Sequence, residues 1–286
     1  MEQVKIINLG DPEYPRPLLD LKVPPKRLYA KGNLQLLTRP MVSIVGTRDC
    51  TRYGVNVARE LAEKCAAAGI VVISGLAEGI DTAAHSGAKG NTIAVLGNGL
   101  DCYYPVSNQE LQDEIAATGL LLSEYPLGFR GDKTTFPQRN RIVAALGRTV
   151  VAVEADKRSG TLITVRMAKD LHRDIFAVPG NINCYASQGT NALIADHTAR
   201  ILVDTDDLIN YFGGYTKRSI DSQPVIRQVT FEQKNILDIL KTDEVHFDEL
   251  VEQSGLPVPQ LSTLLTNMEM TGLIEKLPGN YWVAKQ

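Results

Sequence analysis

Met41-Val42-Ser43-Ile44-Val45-Gly46-Thr47-Arg48, followed by Tyr53-Gly54 and a helical stretch over 54–68, decides the fold. A short apolar run without polar alternation suits a strand buried on both faces, as in a parallel sheet. Val57, Leu61 and Cys65 then recur at four-residue spacing, the repeat of one helix face. Similar runs stand at 70–73, 92–96, 119–122, 149–153, 174–178 and 200–203, with a further helical stretch at 161–172. Strand–helix alternation repeated this often predicts an open, doubly wound α/β fold, Rossmann-like, with a mostly parallel sheet. Ligands of such sheets bind beyond the C-terminal strand ends, where the strand order reverses.

Outward from that block the chain divides. Residues 1–40 carry Pro12, Pro15, Pro17, Pro24, Pro25 and Pro40, which block long helices, so an extended arm leading into the domain is expected. Residues 41–213 form the Rossmann-like domain, and the polar run 214–224 reads as a linker. Residues 225–286 form a separate module. Amphipathic helices are predicted at 231–241, 247–254 and 259–271, with a turn at Gly255-Leu256-Pro257 and a hairpin over 273–284 tipped by Gly279-Asn280. That order is a winged helix. It holds five basic residues against nine acids, and its would-be recognition helix has no Lys or Arg. Duplex DNA needs those cations, so docking to a protein or to the chain's own domain is the expectation.

Composition narrows the rest. With 286 residues, 44% of them hydrophobic and 22% charged, the chain can bury a full core. Disorder, collagen and coiled coil are excluded as the dominant state. A net charge of −3 argues against a wholesale polybasic binder but leaves room for a local basic patch. Cys50, Cys65, Cys102 and Cys184 are far apart, so reduced thiols are expected, and neither the cysteines nor the four histidines offer metal-ligand spacing. No apolar run approaches membrane-spanning length and no secretory signal opens the sequence. A cytoplasmic protein without metal, cofactor or membrane insertion is expected.

At the strand ends, Gly46-Thr47-Arg48 turns toward a helix with Tyr53-Gly54 at its start, where free N–H groups and an arginine fork suit an anion. Ser74-Gly75-Leu76-Ala77-Glu78-Gly79-Ile80-Asp81 makes a second such turn. Residues 130–173 hold ten basic side chains against four acids. Within them Arg139-Asn140-Arg141 lie where a helix opens, and Lys157-Arg158-Ser159-Gly160-Thr161 lie between a strand and a helix. Arginine forks, a lysine charge, hydroxyls and backbone donors all suit phosphate oxygens. Gly97-Asn98-Gly99 lacks the third glycine of a dinucleotide fingerprint, because Cys102 stands there. No P-loop, nucleophile elbow or HExxH occurs, so no catalytic residues are assigned. Asp81 and His85, four apart, are expected to share a helix-face hydrogen bond.

Several of these segments, in one order, resemble the DprA/Smf family of bacterial DNA-processing proteins. They are 43–48 with Tyr53-Gly54, 74–85, Phe136-Pro137-Gln138-Arg139-Asn140-Arg141-Ile142, Glu154-Ala155 with 159–164, 176–181 and 188–194. The resemblance covers about residues 10–213, with the winged helix as a C-terminal module. It implies a Rossmann-like domain that binds single-stranded DNA without established catalysis. It further implies help in loading the RecA recombinase on incoming strands in natural transformation, and a homodimer. By the same resemblance Arg48 and the loop from Lys157 to Gly160 hold the DNA backbone, with Arg139 and Arg141 nearby. Tyr53, Tyr125, Phe129 and Phe136 are candidate platforms for bases. Residues 1–40 stand where many members have a helical domain, and Asp196-His197 replaces a usual glycine-containing pair. The alternative is a nucleotide-processing enzyme of the phosphoribohydrolase type, of whose glycine loop Pro179-Gly180-Asn181 is a partial echo. A scaffold working through the winged helix is the third reading.

Overall fold

A computed structural model describes residues 4–221, 231–240, 244–270, 273–277 and 279–284. The chain forms two units, Met1–Tyr215 and Thr216–Gln286.

The first unit runs β1 (Lys5–Asn8), β2 (Arg27–Gly32), β3 (Met41–Val45), α1 (Arg52–Ala67), β4 (Val71–Ser74), α2 (Ile80–Ala88), β5 (Thr92–Leu96) and α3 (Gln109–Thr118). It continues with β6 (Leu120–Ser123), α4 (Thr135–Leu146), β7 (Thr149–Ala152), α5 (Thr161–Asp170), β8 (Asp174–Ala177), α6 (Gln188–Ala195), β9 (Arg200–Ile201) and the first part of α7 (Thr205–Asp221), which runs past the unit boundary. The strands make one nine-stranded sheet in the order β1-β2-β6-β5-β4-β3-β7-β8-β9. From β6 to β9 every pairing is parallel. The chain moves from β3 through β4 and β5 to β6 on one side, then returns to place β7 on the other flank of β3. The strand order therefore reverses between β3 and β7.

The apolar runs are explained by helices on both faces. Met41, Val45, Val71, Ile73, Val150 and Ala152 enter one core with α4 and α5. Val42, Ile44, Val72, Val151 and Val153 enter the other with α1 and α2. Ser43, a polar residue within β3, is satisfied by donating Oγ to the Val143 carbonyl at 2.6 Å.

Residues 4–40 lead into the domain as part of its sheet and not as a free arm. β2 pairs antiparallel with β6 and β1 with β2, so both extend the sheet and cover the β6 edge. Ile7, Leu18, Leu28 and Leu36 are buried in the core. The prolines stop long helices but fit short 3-10 turns, such as Arg16–Asp20 entered from Pro15. Tyr14 fixes the segment by donating its hydroxyl to the Pro25 carbonyl at 2.8 Å.

The linker expected at 214–224 is also revised, because α7 extends to Asp221. Polar residues without proline are compatible with a helix, and 222–224 lie outside the described residues.

The second unit contains α8 (Phe231–Ile239), β10 (Val245–His246), α9 (Phe247–Ser254), α10 (Val258–Met270), β11 (Ile274–Leu277) and β12 (Tyr281–Ala284). Its antiparallel sheet has the order β10-β12-β11. Ile236, Leu250, Leu261, Leu265 and Trp282 share its core. The helices, turn and wing follow the sequence expectation closely.

Candidate nucleic-acid interface

A cleft of about 740 Å³ opens at the C-terminal ends of β3 and β7, where the strand order reverses. Its walls are the loop after β3, the start of α4 and the start of α5. Gly46, Thr47, Arg48, Arg139, Asn140, Ser159, Gly160 and Thr161 all line it.

The loop after β3 is held from below. Thr47 donates its N–H to the Glu154 carbonyl at 2.8 Å and accepts from the Ile80 N–H at 3.3 Å. Gly46 packs on Ile80, with no room for a side chain. At Gly79, φ is +82° and an added Cβ would stand 2.5 Å from the Thr47 and Arg48 carbonyl oxygens. Only glycine permits both that backbone and that approach. The buried Glu154 carboxylate accepts from the Thr51 N–H at 2.8 Å and hydroxyl at 2.6 Å. Thr51 in turn caps α1 by accepting from the Gly54 N–H at 3.2 Å. Gly54 lies against Glu154 and so braces the loop from outside the cleft. Arg48 is exposed, with no ion pair or hydrogen bond among the described residues.

The basic candidates separate into two groups. Arg139 is 5% exposed and donates from Nη1 to the carbonyls of Gly75 and Val95, at the ends of β4 and β5. Its Nε donates to Asn140 Oδ1 at 3.1 Å. Burial pushes its guanidinium down to about 10, opposed by the Asp81 carboxylate. Asp81 is itself pushed up by burial, opposed by Arg139, and accepts from the Gly75 N–H at 3.1 Å. Arg139 is thus a strut in the cleft floor, its Nη1 committed to the strand ends and its Nε to Asn140. Arg141 is outside the cleft: it pairs with Glu124 at 2.5 Å and donates to the Val23 carbonyl at 3.2 Å. Lys157 and Arg158 are exposed in the loop that leads to the cleft wall, and Lys133 is exposed on the wall itself. None of these three side chains has an ion pair or hydrogen bond among the described residues.

The two helix starts also differ. Asp132 accepts from the Thr134 and Thr135 N–H groups at 2.7 and 3.1 Å, placing a carboxylate on the start of α4. The Thr134 hydroxyl, which donates to the same oxygen at 2.6 Å, and then these N–H bonds hold its carboxyl below the ordinary range. At α5 only hydroxyls stand: Ser159 Oγ accepts from the Thr161 N–H at 3.2 Å and donates to Thr161 Oγ1 at 2.9 Å. No protein atom would meet a Cβ on Gly160 within 4 Å. A helix start carrying hydroxyls and no carboxylate suits an external anion.

Two aromatic pairs stack in this unit, one of them on the cleft. Tyr104 and Phe136 stack at 4.6 Å and both line the cleft. Gly97 lies against the Phe136 ring, where a Cβ would come within 2.6 Å. Tyr125 and Phe129 stack at 4.6 Å. Tyr53 is half exposed and donates its hydroxyl to the Pro179 carbonyl at 3.0 Å. Tyr104 and Lys133 also line the cleft and were not nominated from the sequence; the signal for Tyr104 was an aromatic in the loop after β5. The expected Asp81–His85 bond is absent. His85 Nδ1 instead lies 2.7 Å from Thr92 Oγ1, and burial pushes the ring down to about 3.

Among the described residues no cluster of His, Cys, Asp and Glu is placed to hold a metal, and no helix is long and apolar enough to cross a membrane.

Fold and site define the class: a doubly wound α/β protein with an anion-suited cleft at its switch point, followed by a winged-helix unit. Residues 5–213 match the family of DNA recombination-mediator protein A, and 221–280 match the DprA winged helix domain. The chain belongs to this DprA/Smf family. It is 35% identical to Protein Smf of Synechocystis, over 96% of this chain and 79% of that protein. It is 43% identical to DNA processing protein DprA of Streptococcus pneumoniae, over 72% of this chain and 73% of that one. The X-ray structure of the pneumococcal protein superposes with a TM-score of 0.69, covering 73% of this chain and 74% of that chain at 41% identity. A Helicobacter pylori DNA processing protein A, described for its single-stranded DNA binding mode, has a TM-score of 0.69 and 36% identity. That match covers 74% of this chain and 98% of that chain.

Proposed function

We propose that this protein binds single-stranded DNA through the phosphate backbone in the switch-point cleft, protects the incoming strand and helps load the RecA recombinase on it. It acts in transformation and recombination, as a cytoplasmic homodimer, by binding and not by catalysis. The observation that carries the reading is the set of uncommitted cations, Arg48 and Lys133 on the cleft and Lys157 and Arg158 in the loop before α5, whose first turn holds no acidic residue. In this reading Arg48, Lys157 and Arg158 neutralise phosphates. Ser159, Gly160 and Thr161 offer hydroxyl and backbone donors, with Gly46 and Thr47 shaping the loop. The Tyr104–Phe136 stack is the platform for a base, since every base has a face to stack. Arg139, Asn140 and Arg141 support the frame. Similarity to the H. pylori protein supports the choice of a single strand.

Fluorescence anisotropy with labelled oligo-dT at two salt concentrations tests this. Each phosphate contact on a single strand contributes about 0.7 to the log–log salt slope. Arg48→Ala with Lys157→Ala is therefore expected to flatten the slope by about 1.4 and weaken binding at low salt. A chain ending at residue 215 is expected to retain strand binding. Absence of binding by the wild type at low salt overturns the reading and directs attention to nucleotide hydrolysis. Loss of all binding on truncation moves the function to the winged helix.

A further inference from the structure

The switch-point cleft accounts for the cations on one side of the loop that carries Lys157 and Arg158. On its other side lies a surface that this cleft does not use. Tyr53 is 49% exposed, Ile182 82% and Tyr185 64%. Large apolar side chains at such exposure are individually unremarkable, but these three belong to one set of connected loops. The Tyr53 hydroxyl donates to the Pro179 carbonyl at 3.0 Å, tying the start of α1 to the loop after β8. Asn191 holds the next residue on both sides, accepting from the Gly180 N–H at 3.1 Å and donating to its carbonyl at 3.0 Å. Gly180 packs on Ser187, which closes the loop that presents Ile182 and Tyr185. The far end of that loop is joined to the β7 loop, because Ala155 donates its N–H to the Ala186 carbonyl at 2.7 Å. The rings of Tyr53 and Tyr185 are thus carried on a braced frame at the C-terminal ends of β3, β7 and β8, next to the Lys157–Arg158 loop.

Charge on this surface favours one occupant. Arg52, beside Tyr53, is exposed with no ion pair or hydrogen bond among the described residues, as are the Lys157 and Arg158 side chains. Asp156 is engaged within the loop itself, its Oδ1 accepting from the Arg158 N–H at 2.5 Å. Exposed rings interleaved with free cations suit a nucleic-acid strand, whose bases stack while its phosphates meet the cations.

We propose that Tyr53 and Tyr185, with Arg52, form a second step for the same single strand, carrying it out of the cleft across the Lys157–Arg158 loop. This rests on the strand-binding reading above and extends it. The protein then has two contact zones, and the outer one is reached only by an oligonucleotide longer than the cleft holds.

Length-dependent anisotropy on the full chain tests it. Tyr53→Ala with Tyr185→Ala is expected to weaken binding of an oligo-dT of about 20 nucleotides by roughly 5–150-fold, the range for the loss of a single stacked base. Binding of an oligo-dT of about four nucleotides is expected to be unchanged. Tyr53→Phe with Tyr185→Phe keeps the rings and is expected to restore affinity for the long strand. A long oligonucleotide bearing 5-iodouracil is expected to photocross-link to Tyr53 or Tyr185. Equal affinity of wild type and alanine variant for the long strand overturns the outer step, as does equal loss on both lengths. A change in solution mass of the alanine variant, with strand affinity intact, assigns the patch to a protein interface and likewise overturns it. Failure of the wild type to bind either length instead removes the cleft reading itself.

Discussion

Arg139→Gln separates the two roles open to a basic residue in this cleft. The wild-type guanidinium is 5% exposed, bonded to two strand-end carbonyls and opposed by an equally buried Asp81. Glutamine removes the charge and leaves a buried carboxylate without its counter-ion. Leaving the two strand-end carbonyls unsatisfied costs about 2–6 kcal/mol, at roughly 1–3 kcal/mol each. For a unit of this size, roughly 2–4 °C per kcal/mol gives a fall in Tm of about 4–24 °C. The sole tryptophan, Trp282, lies in the winged-helix unit, so its fluorescence would follow the wrong transition. Far-UV circular dichroism on a chain ending at residue 215 follows the right one.

The pH dependence has a definite sign. Asp81 has its folded carboxyl raised above the ordinary 3.8. The stability linked to it is complete below that value and is lost as pH rises through the folded pKa. Removing Arg139 raises the folded pKa further, so the deficit of Arg139→Gln is expected to be larger at pH about 8 than at about 5. Asp81→Asn is expected to relieve part of that deficit, with a coupling of about 0.5–3 kcal/mol in the double-mutant cycle. Strand binding by folded Arg139→Gln is expected to suffer far less than in Arg48→Ala. A stability loss below about 1 kcal/mol, or strict additivity with Asp81→Asn, refutes the strut.

Gly79→Ala places a Cβ against the Thr47 and Arg48 carbonyls at a positive φ. A combined cost of about 2–5 kcal/mol and weaker oligo-dT binding are expected, and an unchanged Tm with unchanged affinity contradicts the loop support described. His85 has its folded pKa depressed to about 3. Its contribution is present above the unfolded value of about 6.5 and is lost as pH falls toward 3, at up to about 1.4 kcal/mol per pH unit. His85→Gln is expected to flatten that slope in urea titrations; an equal slope in both proteins would falsify the assignment.

Much of this architecture was legible because its signals are local. Strands covered on both faces need uninterrupted apolar runs, and helices against a sheet need a four-residue repeat. The run 41–45 and the helix beginning near Gly54 are found where those rules place them. The winged-helix elements follow for the same reason. Gly46, Arg48 and the segment from Ser159 to Thr161 could be nominated because ligands bind where parallel strands end.

The commitments of individual charges were not local. Arg139 and Arg141 are two residues apart and chemically identical. One is buried under Gly75 and the other neutralised by Glu124, and neither partner is adjacent in sequence. The prolines of residues 1–40 signalled interrupted structure correctly, but pairing with β6 depends on an edge more than ninety residues away (Tyr29 opposite Ser123). Tyr104 became a cleft residue only by stacking on Phe136. The sequence by itself determined the α/β layering, the winged helix and the strand ends at which to look, because periodicity and turn chemistry are properties of neighbouring residues. Tertiary structure alone decided which cations remain free to meet a phosphate, because a guanidinium held by buried carbonyls or by a carboxylate is already oriented and engaged by them.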